Sequence, residues 1–446
     1  MDQQMQWSKL LSSKRFGNEA FQDNRIHDRS EFERDYDRLI FSSPFRRLQN
    51  KTQVFPLPGS VFVHNRLTHS LEVSSVGRSL GLAISKFLRE KYSMQRDETL
   101  TEIGSIVSAA CLAHDLGNPP FGHSGEKAIS SYFSEGKGLK WKKDLSETEF
   151  TDFCHFEGNA NAFRLLTHTF NGRRQGGFAL TYSTLASVVK YPYASSLASD
   201  KHSKFGFFTS EAESFELIAK ELGLIKTPGT ELSFARHPLV YLVEAADDIC
   251  YQIMDLEDAH KLKLVSTEET IDLLLNFFPE PSLTHRKDVL LLVDDVNEKI
   301  GYLRSCVIGR LVQACAGVFV KNEEKILNGT FEGSLIQKVD PQAFSAYDTC
   351  ARLSMKKIYK SSDVLDIELA GYKIITTLLE EIINAVNYPD QAYSKVLLAR
   401  IPQQYEVKAG TTYGRIQAVL DYISGMTDIY ALDLYQKING TSLPVL

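Results

Sequence analysis

Three segments of this chain repeat apolar residues at steps of three and four, and each stripe also carries groups that bind protons or metal ions. From Leu67 to Leu88 the stripe runs Val73, Val76, Leu80, Ile84 and Phe87, with His69 one turn before Val73. From Glu102 to His114 it runs Ile103, Ile106, Val107, Ala110 and Cys111; His114 takes the next step and Asp115 follows. From Leu239 to Ala259 it runs Val243, Asp247, Cys250, Tyr251, Met254 and Asp255. A period of about 3.6 residues puts each set on one helix face. The chain must therefore fold as helices that bury histidines and acids. Gly117, Pro119 and Pro120 stop the second helix. The same periodicity predicts further helices over Ser210–Leu222, Thr267–Phe277, Asp288–Val320, Val364–Asn387 and Thr412–Tyr435. Strand signals are few, with Gly176–Tyr182 as one short hairpin arm. The expected fold is mainly α with little β structure.

A chain of 446 residues corresponds to two or three units at roughly 150 residues each. With 43% hydrophobic and 24% charged residues it has enough apolar surface to offset ordering entropy, which excludes collagenous and disordered classes. Boundaries are read as an arm over 1–60, rich in Arg and Phe, a site-bearing core over 61–260, and a helical C-terminal portion over 261–446. A net charge of −6 means that an anionic ligand must be held by placed residues or metal, not by bulk charge. None of the six cysteines shows the two-residue spacing of zinc knuckles or redox motifs. The N-terminus lacks the apolar stretch of a secretory signal, and no run approaches the ~18 residues of a membrane span. A cytoplasmic protein without membrane partners is expected.

A histidine on an inner helix face is more often a core residue than a ligand. His69, His114, Asp115 and Asp247 together change the balance, because buried carboxylates are costly unless paired or metal-bound. Two imidazoles and two carboxylates suit Mn, Mg, Fe, Ni, Co or Zn, with positions left for water and substrate oxygen. No phosphate-binding P-loop, nucleophile elbow or His-Glu-x-x-His helix is present.

At these residues the chain resembles the HD phosphohydrolase superfamily, and its flanking text is similar to the deoxyguanosine triphosphate triphosphohydrolase (dGTPase) branch. The matching blocks are Phe45–Pro56, Arg66–Val73, His114–Glu126, Ala245–Asp258 and, near the C-terminus, Asp421–Asp428. The resemblance implies an HD helical fold with a C-terminal helical extension. It also implies hydrolysis of a deoxynucleoside triphosphate, dGTP first, to deoxynucleoside and tripolyphosphate, with Mn2+ or Mg2+ as the leading cofactors. Homo-oligomers, commonly hexamers, and single-stranded DNA as a partner belong to the same set of implications. A different HD nucleotide hydrolase, or a nucleotide-gated assembly that binds single-stranded DNA, are the rival readings.

His123 and Glu126 sit three apart at a helix start, where Glu126 could hold one ring nitrogen and leave the other to handle a proton. In the family the matched residues act in catalysis. Lys190 and Tyr191 offer a cation and a phenol for a triphosphate. Tyr251 and Asp255, beyond Asp247 on its stripe, could flank a deoxyribose, the ring excluding a 2′-hydroxyl and the acid binding the 3′-hydroxyl. The resemblance supports these four as substrate contacts and adds Arg46, Gln53 and Val54 from the arm. Asn118 and Glu72 are close enough to orient ligands or water, Asn118 the stronger of the two. Asp248 points about 100° off the stripe and is assigned to a hydrogen bond or helix contact, and Asp258 is a second decoy.

Overall fold

The computed structural model describes residues 4–19, 28–55, 63–92, 98–198 and 203–442. Pro56, the last residue of the arm block, lies outside them. Among the described residues the regular structure is helical, and the β structure is limited to isolated bridges such as Thr52 with Asn65.

The three striped segments form helices Arg66–Lys91, Ile103–Ala113 and Val240–Lys261, and the first packs on both of the others. Asn65 starts the first helix with a capping box: its side chain accepts from Thr68 N while the Thr68 hydroxyl accepts from Asn65 N. Small residues then allow a close crossing. A Cβ on Gly81 would stand 2.8 Å from Gly104 Cα, and the Ser74 hydroxyl donates to the Ser108 carbonyl at 2.9 Å. That approach sets His69 opposite His114 at the end of the second helix.

The apolar residues fall into two cores. The larger contains the three helices above, the arm residues Phe45 and Leu48, and Leu303, Val307, Leu311 and Cys315 of helix Val296–Leu327. The second joins helices His123–Ser134 and Glu147–Cys154 to Ser362–Asn387, Thr412–Ser424 and Asp428–Ile438. A buried network ties the two. Arg164 pairs with Asp421 through two bonds of 2.8 and 2.7 Å and with Glu211 at 2.5 Å. All three are less than a tenth exposed. Replacing Arg164 by methionine leaves two buried carboxylates without a counter-charge, so unfolding free energy is expected to drop by about 3–5 kcal/mol in urea denaturation.

Three expectations need correction. Asp288–Val320 is not one helix: Ser282–Leu291 ends and Val296–Leu327 starts anew, because the Asp295 carboxylate accepts from Glu298 N at 2.8 Å and caps it. Thr412–Tyr435 breaks at Gly425–Thr427, where Thr427 caps Asp428–Ile438. Gly176–Tyr182 forms no hairpin arm. Gly176 and Gly177 take positive φ of 82° and 59°, Thr181 makes a single bridge to Arg15, and Thr181 then caps helix Tyr182–Val188. Val296–Leu327 is also long and apolar enough to cross a membrane by length and composition; 39% of its most apolar window is buried inside the protein.

Candidate metal centre and active site

The structure brings His69, His114, Asp115 and Asp247 to one point. Ligand atoms of the first three lie within 4.8 Å of one another. Asp247 Oδ1 lies 3.0 Å from His69 Nε2 and 3.6 Å from His114 Nε2. His114 Nδ1 faces the Cys111 carbonyl at 2.6 Å, so that nitrogen carries the proton and Nε2 is left as the donor atom toward the cluster. Among the described residues, His114 Nε2 and Asp115 Oδ2 are buried without a hydrogen-bond partner. A buried lone pair is expensive to leave unmatched, and this donor set fits a divalent cation. Burial would lower the His114 pKa, but the Asp115 and Asp247 carboxylates outweigh it and hold it up at about 9. Burial likewise opposes ionisation of Asp247, yet the His114 and His69 rings keep its carboxyl well below the ordinary range. In effect a proton on His114 does what a metal ion would do.

Asn118 Nδ2 donates to Asp115 Oδ1. The Arg66 guanidinium lies 2.9 Å from Asp115 Oδ2, an ion pair without hydrogen-bond alignment. Arg66 was missed in the sequence, although its position one turn before His69 on the same helix was a usable signal.

His123 opens helix His123–Ser134, and Nδ1 sits 2.7 Å from Glu126 Oε2. Its side chain is 70% exposed while that of Glu126 is 12% exposed, so the ring faces open space from a largely covered acid. Glu126 Oε1 accepts from Gly158 N at 2.8 Å, which fixes the acid. The Glu126 bond and charge raise the His123 pKa.

Lys190 is placed by Asn159, whose side-chain oxygen accepts from Lys190 N at 3.0 Å, and its ammonium lies 3.1 Å from Glu244. Three cations ring Tyr191: Lys190, Lys204 and Arg236 stand 5.8, 5.7 and 5.9 Å from the ring centre. Lys204 and Arg236 lie outside the matching blocks, and no periodicity or spacing in the sequence points to them. Tyr251 stacks on Tyr359 with centres 5.9 Å apart, and the Tyr359 hydroxyl donates to Asp255 Oδ2 at 2.7 Å. Burial pushes Asp255 up to about 8, so near neutral pH it is mostly protonated.

Among the described residues Gln53 Oε1 is buried without a partner and Arg46, exposed on helix Ser43–Arg47, makes no ion pair, while Val54 packs on the larger core. The Asp248 carboxyl lines a cavity of about 450 Å³ with Arg236, Tyr241 and Glu244, while its carbonyl accepts from the Tyr347 hydroxyl at 3.2 Å.

Glu72 and Asp258 hold His64, at 3.2 and 2.8 Å. The His64 amide also donates to Asp258 at 2.7 Å, which ties the start of the first helix to Val240–Lys261 and so sets His69 against Asp247. Burial would lower the His64 pKa; the two carboxylates raise it to about 10. A raised folded-state pKa gives stability that is complete below about pH 6.5 and lost on the way to about pH 10. His64→Ala is expected to cost about 3–5 kcal/mol at pH 6, with the gap to the parent narrowing at pH 9 in urea titrations.

Residues 66–181 match the HD domain family and residues 338–437 the phosphohydrolase-associated domain. A deoxyguanosinetriphosphate triphosphohydrolase-like protein of Pseudomonas aeruginosa is 37% identical over 99% of this chain and 100% of its own length. One of Synechocystis sp. is 37% identical over 98% of this chain and 100% of its own. The deoxyguanosinetriphosphate triphosphohydrolase of Yersinia enterocolitica is 30% identical over 96% of this chain and 98% of its own. With that coverage from end to end, over a helical core of the expected kind, the chain belongs to the HD-domain deoxyguanosinetriphosphate triphosphohydrolase-like family of phosphohydrolases.

Proposed function

We propose that this protein hydrolyses deoxynucleoside triphosphates, dGTP first among them, at the α-phosphorus, releasing deoxynucleoside and tripolyphosphate. The observation that carries the reading is the convergence of two imidazoles and two carboxylates with unmatched donor atoms, beside a tyrosine ringed by three cations. The names of the relatives supply the substrate class.

His69, His114, Asp115 and Asp247 hold the metal, with Asn118 orienting Asp115. A bound Mn2+ or Mg2+ supplies Lewis acidity toward phosphoryl oxygen. Lys190, Lys204, Arg236 and Tyr191 grip the triphosphate. His123, held by Glu126, passes the proton between the attacking water and the leaving 5′-oxygen. The water oxygen stays on the α-phosphate, the bond from phosphorus to the 5′-oxygen breaks, and that oxygen leaves as a hydroxyl. Tyr251 lies under the sugar and leaves no room for a 2′-hydroxyl, and Asp255, kept protonated, meets the 3′-hydroxyl. In this reading residues 1–60 bring Arg46, Gln53 and Val54 to the pocket, 61–260 form the catalytic core, and 261–446 pack on it and join subunits of a cytoplasmic homo-oligomer. Leu291 and Leu292, 83% and 85% exposed, support such a contact.

The test is incubation with each of the four deoxynucleotides and GTP, with and without Mn2+ or Mg2+, followed by product identification. Tripolyphosphate from deoxynucleotides alone is expected. Release of single phosphate, or equal turnover of GTP, would overturn the reading.

A further inference from the structure

We propose that Lys51 and Asp428 are positioning residues that set where His123 stands relative to the metal ligands. The inference deepens the reading of His123 and Glu126 given above and rests on it.

The need for such a device follows from the two cores. Helices carrying His69, His114 and Asp247 belong to the larger core, whereas the helix of His123 and Glu126 packs in the second with Ser362–Asn387. Only the loop 115–122 joins His114 to His123 directly. That loop must pass Phe121 at φ +62° and Gly122 at φ +55° before the helix can start. The left-handed region is unfavourable for a bulky L-residue and persists only where its surroundings enforce it.

What enforces it comes from both ends of the chain. Asp428 Oδ1 accepts from Phe121 N at 3.0 Å, across 307 residues, and Oδ2 accepts from Thr52 N at 2.8 Å. Lys51, 2% exposed, donates to the carbonyls of Asn118 at 2.6 Å and Ser424 at 2.7 Å. The Asn118 side chain in turn holds Asp115. Behind the loop the Phe121 ring lies so close to the second core that a Cβ on Gly371 would stand 2.7 Å from Phe121 Cβ. Each bond to the loop engages its main chain, so Lys51 and Asp428 fix the path of the loop and with it the offset between Asp115 and His123. This gives the C-terminal block Asp421–Asp428 a role: Asp421 pairs with Arg164, and Asp428 holds the loop.

The experiment compares Asp428→Ala, Asp428→Asn and Lys51→Met. In Asp428→Ala, deuterium uptake over 116–122 is expected to rise without any substrate present. Its kcat is expected to fall about 10- to 100-fold, as for a reacting group displaced by about 1 Å, while KM moves less than about threefold and bound metal stays equal to that of the parent. Asp428→Asn keeps one acceptor and should recover part of both effects. Lys51→Met leaves Asp428 in place and should show the same pattern, which covers the case in which Asp428→Ala does not accumulate as folded protein. Unchanged uptake, raised uptake with an unchanged kcat, or a joint fall of metal content and KM-independent activity would each overturn the assignment. A parent that turns over no deoxynucleotide would defeat the proposed function, while the uptake comparison would still decide how the loop is held.

Discussion

Replacing Asp247 or His114 by alanine is expected to remove bound metal and hydrolysis together, with kcat down by roughly three to four decades. The size follows from the charge stabilisation a metal gives a phosphoryl transition state, several kcal/mol at about 1.4 kcal/mol per decade. Asp247 Oδ1 is shared between two imidazoles at 3.0 and 3.6 Å, so its loss takes a ligand and also the charge that orients both rings. His114 contributes the buried Nε2 that has no hydrogen-bond partner among the described residues. Elemental analysis beside a product assay checks the coupling, and a metal-free variant with full activity would end the assignment. The same electrostatics predicts how binding depends on pH. With His114 held at about 9, the ring must give up a proton before it can ligate, so affinity should rise by about tenfold per pH unit from 6 to 8. Competition titration with a chelator at fixed ionic strength measures the slope.

How much of this could be read from the chain depends on whether the signal is local. His69, His114 and Asp247 were legible because each lies in phase with an apolar stripe, and phase is a property of neighbours in sequence. Arg66 obeys the same rule, but its partner Asp115 lies beyond the next helix, so the pairing has no local sign. The breaks at 292–295 and 425–427 were hidden by apolar periodicity that continues through them. Asp295 and Thr427 nevertheless had the side chains of helix caps. Lys51 and Asp428 fall inside the matching blocks Phe45–Pro56 and Asp421–Asp428, yet neither they nor Lys204, Arg236 and Tyr359 carry a local sign of what they hold. Each acts through contacts made only once distant helices pack, such as Lys51 with Ser424 across 373 residues. The division between two cores was invisible for the same reason, because helix His123–Ser134 packs with segments more than two hundred residues away.

The pair His123 and Glu126 carries the second large effect. His123→Ala should lower kcat by about 10²- to 10⁴-fold with the metal retained, because the ring touches none of the four ligands by hydrogen bond and sits on a helix of the other core. Glu126→Gln is the sharper test. Glu126 uses its two oxygens separately, Oε2 toward His123 Nδ1 at 2.7 Å and Oε1 for Gly158 N at 2.8 Å; the single oxygen of glutamine keeps the Gly158 bond, its NH2 then meets an unprotonated Nδ1, and the charge is lost. Glu126 raises the His123 pKa by favouring the protonated ring. Without that charge the ring gives up its proton more readily, and the limb of the pH profile of kcat that His123 governs should move to lower pH. The direction holds whether the ring serves as acid or as base in the slow step: an acid loses its proton earlier, a base becomes available earlier. A limb that stays in place with kcat intact would mean that another group handles the proton. A limb that moves upward would mean that the Glu126 charge acts on a group other than this ring.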